Sequence, residues 1–99
     1  MKYNISGLET LTIAYSDASA LRHLDGKISL PRPSQGATNA SQVVATIKQN
    51  GTTIFTTTAG ADGFNLPIYA TQGDSITVAL TSSEAEDEVL NAVNAVVTI

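Results

Sequence analysis

From residue 42 onward, apolar and polar positions alternate with period two, and the turns between the runs are explicit. "QVVATIK" (42–48) sets Val43, Ala45 and Ile47 on one face. "SITVALT" (75–81) does the same with Ile76, Val78 and Leu80, and "FNLPIY" (64–69) with Phe64, Leu66 and Ile68. This alternation is the signature of half-buried strands. Asn50-Gly51 follows the first run and predicts a two-residue hairpin, because a type I′ turn needs positive φ at both central positions. "TTIFTTT" (52–58) is the returning strand. Ile54 and Phe55 are adjacent and break its period, so one of them is expected to face a second layer or a subunit. "AGADG" (59–63) and "TQGD" (71–74) are further turns. Pro67 cannot donate to a ladder, which predicts an edge strand or a bulge there. "NAVVTI" (94–99) reads as a closing strand.

The first forty residues are less regular. "TLTIAYS" (10–16) alternates Leu11, Ile13 and Tyr15 and predicts a strand. "SDASALRHLDGK" (16–27) fits a short helix capped by Ser16 or Asp17, or a loop ending in a tight turn at Asp25-Gly26. Irregular structure with at most a helical turn is the reading adopted. "KISL" (27–30) is a short strand candidate, and "PRPSQGATNAS" (31–41) a linker or extended arm. Near the C-terminus, "SSEAEDEVLNAV" (82–93) is the one good helix candidate, with a short helix expected over 84–91: Ser83 and Glu86 form a capping box. The expectation is a single all-β domain, an antiparallel β-sandwich or small barrel, with N-terminal strands and an extended arm over 1–40 and the sandwich core over 41–99.

Ninety-nine residues bury roughly two-thirds of their unfolded surface, enough for one modest core. Charged residues make up 14% of the chain, against about 25% in an average globular protein. Together with 22 Ser and Thr residues, this predicts a neutral polar surface. The charge is uneven. Residues 1–49 hold five bases (Lys2, Arg22, Lys27, Arg32, Lys48) and three acids, a sum of +2, whereas 50–99 hold six acids and no base, a sum of −6. A nucleic-acid partner would call for the opposite balance, with aromatic stacking platforms. No run of residues has the length and apolarity of a signal peptide or a membrane span. The Asn4, Asn39 and Asn50 sequons therefore read as incidental.

Candidate chemistry is sparse. There is no cysteine, so no disulfide or thiolate metal site. His23 is the sole histidine and stands in no nucleophile motif, which predicts a surface or turn residue. Glu84, Glu86, Asp87 and Glu88 match no Ca²⁺-loop spacing and read as a solvated helix face. "GADG" (60–63) lacks the spacing of a phosphate cradle. No catalytic residue, cofactor or metal ligand is assigned, and the chain is expected not to be an enzyme. Two classes of role remain: a structural module in a symmetric assembly, and a carbohydrate- or receptor-binding module. The second is weakened by the lack of Trp and by having only Tyr3, Tyr15, Tyr69 and two Phe to stack on sugars.

The run "SQVVATIKQNGTTIFTTTAGADGF", followed by "QGDSITVALTSS" and "VLNAVNAVVTI", resembles small virion-associated proteins of tailed bacteriophages, including phages of cyanobacteria. The shared positions are Val44, Thr46, Asn50, Gly51, Ile54, Phe55 and Thr56, then Gly60, Ala61, Gly63 and Phe64. They continue with Gly73, Asp74, Ile76, Val78 and Leu80, and end with Leu90, Asn91 and Val93. The resemblance spans residues 41–99 and departs at Thr81 and Asn94. It implies an Ig-like or jelly-roll-like sandwich and a virion location after assembly in the host cytoplasm. It further implies a capsid decoration (cement) protein bound to the major capsid protein, with a tail- or fibre-associated receptor-binding module as the alternative. On that reading Arg22, Lys27, Pro31, Arg32 and Pro33 form an arm that contacts the shell. Ile54, Phe55 and Pro67 lie at a homotrimer contact that closes the edge strands. Neither nucleic acid nor membrane is an expected partner. Deleting residues 1–35 is expected to leave a folded sandwich that no longer attaches.

Overall fold

A computed structural model describes residues 1–29, 43–82 and 93–99. It contains eight strands and, among the described residues, no helix. They are β1 (Lys2–Ser6), β2 (Thr10–Ala14), β3 (Ala20–Ser29), β4 (Val43–Gln49), β5 (Thr52–Thr56), β6 (Gly63–Ala70), β7 (Ser75–Ser82) and β8 (Asn94–Thr98). Two four-stranded sheets, ordered β1-β8-β3-β6 and β2-β7-β4-β5, pack face to face. The pairings β1:β8, β2:β7, β3:β6 and β4:β5 are all antiparallel. The chain is thus a folded-back ribbon of four strand pairs, with alternate pairs assigned to alternate sheets. That connectivity is the jelly roll, a subset of β-sandwiches. The helix expected over 84–91 and the whole of the 31–41 arm lie outside the described residues.

Alternation builds the core. Val43, Ala45 and Ile47 from β4 and Ile76, Val78 and Leu80 from β7 face Leu24, Ile28, Ala95 and Val97 from the other sheet, all nearly solvent-free. The period-two runs of residues 43–82 therefore correspond to strands as expected. The turns correspond too: Asn50 (φ 52°) and Gly51 (φ 84°) both take the positive φ of the hairpin. The break at Ile54–Phe55 has a local cause. Thr53 pairs with Lys48 and Phe55 with Ile47, so Ile54 is the extra residue of a β-bulge. Thr57 then continues the ladder. It donates its N–H to Ala45 O (2.9 Å), and its Oγ1 accepts the Ala45 N–H (2.9 Å), which leaves no buried amide orphaned at the bulge.

The N-terminal expectation needs correction. Residues 1–29 are not an arm: they supply three of the eight strands, with Ile5, Ile13, Tyr15, Leu24 and Ile28 in the core. Most of the segment read as irregular, 16–27, belongs to the ten-residue β3, which also takes in the start of the strand expected at 27–30. It is an interior strand held by β6 on one side and β8 on the other. Asp25-Gly26 is not a turn. Gly26 sits mid-strand opposite Phe64, whose ring occupies the space a side chain at Gly26 would need. Aromatic cover of a strand glycine removes the exposed backbone that makes such a glycine weak. Deleting residues 1–35 removes an interior strand, so the truncated chain cannot keep the sandwich.

The end of the sandwich at the β4–β5 and β6–β7 turns is closed by polar bonds centred on Asp74. Its carboxylate accepts from Asn50 Nδ2 (3.0 Å), Thr71 N–H (2.8 Å) and Gln49 Nε2 (2.9 Å). Asn50 Oδ1 accepts in turn from Ser75 N–H (2.9 Å), and Gln49 Nε2 also reaches Tyr69 O (3.0 Å). The backbone joins in: Tyr15 N–H donates to Asp74 O (2.9 Å) and Gly73 N–H to Tyr15 O (2.8 Å). These bonds, led by the Asn50 amide, favour the charged carboxylate and hold the Asp74 pKa below its ordinary value of 3.8.

Two outcomes follow for stability. Gly26→Ala drives a methyl into the Phe64 ring and is expected to cost about 1–3 kcal/mol, read as a fall in the urea midpoint. Because the Asp74 pKa is depressed on folding, its contribution is complete above the unfolded value and is lost as pH falls through the lower folded one. The stability difference between wild type and Asp74→Asn should therefore be constant near neutral pH and shrink below pH 3.8. A difference unchanged on acidification would show that the latch does not depend on charge.

Candidate functional site

Three surface features stand out. The first is the outer face of sheet β2-β7-β4-β5. Register aligns Thr12, Thr77, Lys48 and Thr53 in one row across all four strands. Thr10, Ala79, Thr46 and Thr56 form the next row. Lys48 is the one charge in these two rows. Thr is stiff at χ1, so such a face loses little side-chain freedom when a partner covers it.

This face ends in β5, every residue of which is exposed. Ile54 and Phe55 there are 38% and 39% exposed. Beside β5, on the side away from β4, no strand lies among the described residues. Pro67 sits on β6, the edge strand of the other sheet, as its missing donor predicted, and without a bulge. The three residues expected at an oligomer contact thus all lie on strands that, among the described residues, are sheet edges. Neither Ile54 nor Phe55 is buried within one copy.

The second feature is the outer face of β3 and β6. The cross-strand partners Leu21 and Tyr69 are the most exposed large apolar side chains after Met1, at 66% and 62%. His23 lies beside them opposite Pro67, and its Nδ1 is 3.1 Å from Asn65 Oδ1. It is a surface histidine, as expected.

The third feature is a cleft of about 140 Å³ where β1, the end of β2 and the start of β3 meet. Tyr3, Ile13, Tyr15, Asp17 and Arg22 line it. Arg22 Nε donates to the Tyr15 hydroxyl (2.9 Å), which donates onward to Ala18 O (2.9 Å). The guanidinium carbon lies 5.8 Å from the Tyr15 ring centre, within cation–π range. Asp17 Oδ2 is 4.0 Å from Arg22 Nη2, a loose and partly exposed pair.

The expected basic contact surface does not form as one patch. Arg22 lies on the inward-facing side of β3, whereas Lys27 is exposed on the opposite face. Side chains an odd number of positions apart on a strand leave by opposite faces. Pro31, Arg32 and Pro33 lie outside the described residues. What the sequence reading missed is the cleft. Its one legible sign was the alternation from Ala20 to Ile28 that places Arg22 in phase with Leu24 and Ile28.

Among the described residues, no group of three or more His, Asp or Glu side chains is placed to hold a metal ion, and no helix is long and apolar enough to cross a membrane. Comparison with protein-family models finds no match, and no curated protein is significantly similar to the chain.

Proposed function

We propose that this chain is a non-enzymatic structural protein of a phage virion. It decorates the capsid by binding the major capsid protein and associates with its own copies as a trimer. The observation that carries the reading is the threonine-rich face of β2-β7-β4-β5, which ends in an edge strand whose residues are all exposed and which bears Ile54 and Phe55. Such a face suits repeated docking, since it needs no charge pairing and orders few rotamers. The edge suits closure between copies, because an unpaired strand flanked by exposed apolar side chains is stabilised by strand pairing across an interface. The resemblance of residues 41–99 to small virion proteins supplies the setting. Attachment is through the faces of the sandwich rather than through an N-terminal arm, since residues 1–29 are committed to the two sheets. A second reading, a tail- or fibre-associated receptor-binding module, is favoured by the cleft at Arg22.

The test combines copy number with assembly. An antibody to the recombinant chain, used to count copies per purified phage particle, should return hundreds for a shell decoration. A small number set by tail symmetry would move the protein to the tail, and none would overturn the virion reading. Sedimentation of the recombinant chain should show a trimer that Phe55→Glu reduces to monomer with an unchanged β-type circular dichroism spectrum. A wild-type monomer at all concentrations would rule out closure through β5.

A further inference from the structure

The cleft beside Arg22 has the features of a built recognition site. Arg22 leaves β3 on the face that carries Leu24 and Ile28 into the core, yet among the described residues no buried carboxylate meets it. Its position is fixed instead by Tyr15, which is only 6% exposed, through the Nε–hydroxyl bond and the ring beside the guanidinium. With Nε committed, the two terminal amines remain at the cleft wall. Among the described residues their one ion-pair partner is Asp17, 4.0 Å away on a side chain that is itself 68% exposed, and Met1 and Ile99 also line the cleft. A guanidinium held in place, with its outer pair of N–H groups engaged only by the loose Asp17 pair, matches the two oxygens of a carboxylate. Asp17 beside it offers an acceptor to a donor group on the same ligand. Tyr3 and Ile13 supply apolar wall for the ligand's body.

We propose that this cleft binds a small organic carboxylate that carries a hydroxyl or ammonium group within two carbons of the acid. The carboxylate lies end-on against Nη1 and Nη2 of Arg22, the neighbouring donor bonds to Asp17, and the carbon body covers Tyr3 and Ile13. Two sources share this chemistry: an acidic sugar at the end of a glycan, and a free α-hydroxy or α-amino acid. A cavity this small holds a single residue of either, so the expected dissociation constant is on the order of 1 mM. The inference does not rest on the virion reading. Failure to bind leaves copy number and trimer closure untouched, and their failure leaves binding untouched.

The experiment is a heteronuclear NMR titration of the ¹⁵N-labelled full chain with galacturonate and with L-leucine. Methyl galacturonate ester and leucinamide serve as controls that lack the carboxylate. Saturable shifts are expected at the Arg22 Nε–H and at the amides of residues 14–17, and not with the controls. A response to galacturonate alone assigns a glycan source, to leucine alone a free amino acid, and to both carboxylate recognition without a source preference. Arg22→Lys, which keeps the charge and loses the fork, should weaken binding at least tenfold. Asp17→Asn should weaken binding of the responding acid but not of propionate, which has no neighbouring donor. If the Arg22 variant fails to fold, the Nε–H signal in the wild type still decides. No shift at Nε–H with either acid, or equal shifts with ester and amide, overturns the proposal.

Discussion

The sheet β1-β8-β3-β6 depends on a single placement: β8, from the end of the described chain, lies between β1 and β3 and hydrogen-bonds to both. Lys2 and Asp25 are each registered with Thr98, from opposite sides. Until β8 arrives, β1 has no strand partner, and β3 has only β6. The inward residues of β8, Ala95 and Val97, are nearly inaccessible to solvent and face the centre of the other sheet. A pairing this distant in sequence is formed late, because its loop-closure entropy must be overcome before its contacts form. Only β4:β5, closed by Asn50-Gly51, is a tight local hairpin.

Around that frame, polar groups appear where the backbone would otherwise go unsatisfied. Thr57 replaces a ladder carbonyl beside the β5 bulge, and Asp74 gathers donors from two turns. Both are short side chains bonding to nearby backbone or amide groups, which close a sandwich end without long charged side chains. The scarcity of charge thus has a structural correlate: the described residues carry one ion pair, Arg22 with Asp17, and it is loose.

The surface divides by what each face can offer a partner. The outer face of β2-β7-β4-β5 is polar, β-branched and nearly uncharged, and it grades into an exposed edge with two large apolar residues. The cleft at the other side of the chain's fold is the opposite kind of surface, concave and with a positioned cation. The first suits association with large surfaces, the second selection of a small anion. One chain can present both at once, because the Thr rows and the cleft use different residues, β2 giving Thr10 and Thr12 to the one and Ile13 to the other.

Much of this was legible in the residues. Alternation marked β2, β4, β6 and β7, Asn-Gly marked the hairpin, and Pro67 marked an edge, because these depend on side-chain periodicity and on φ preferences that act within a few residues. The break at Ile54–Phe55 was visible, but whether it meant burial or a bulge was not. Inward Arg22 and mid-strand Gly26 hid β3: an arginine and a glycine make poor strand signals until Tyr15 takes up the one and Phe64 covers the other. The sequence by itself determined that the chain is β and roughly where it turns. Tertiary structure alone decided which strands are neighbours, that the sandwich is a jelly roll with residues 1–29 inside it, and that Arg22 meets Tyr15 at a cleft. Strand order rests on hydrogen bonds between backbones, which are the same for every residue, so only packing of the two inner faces selects the register.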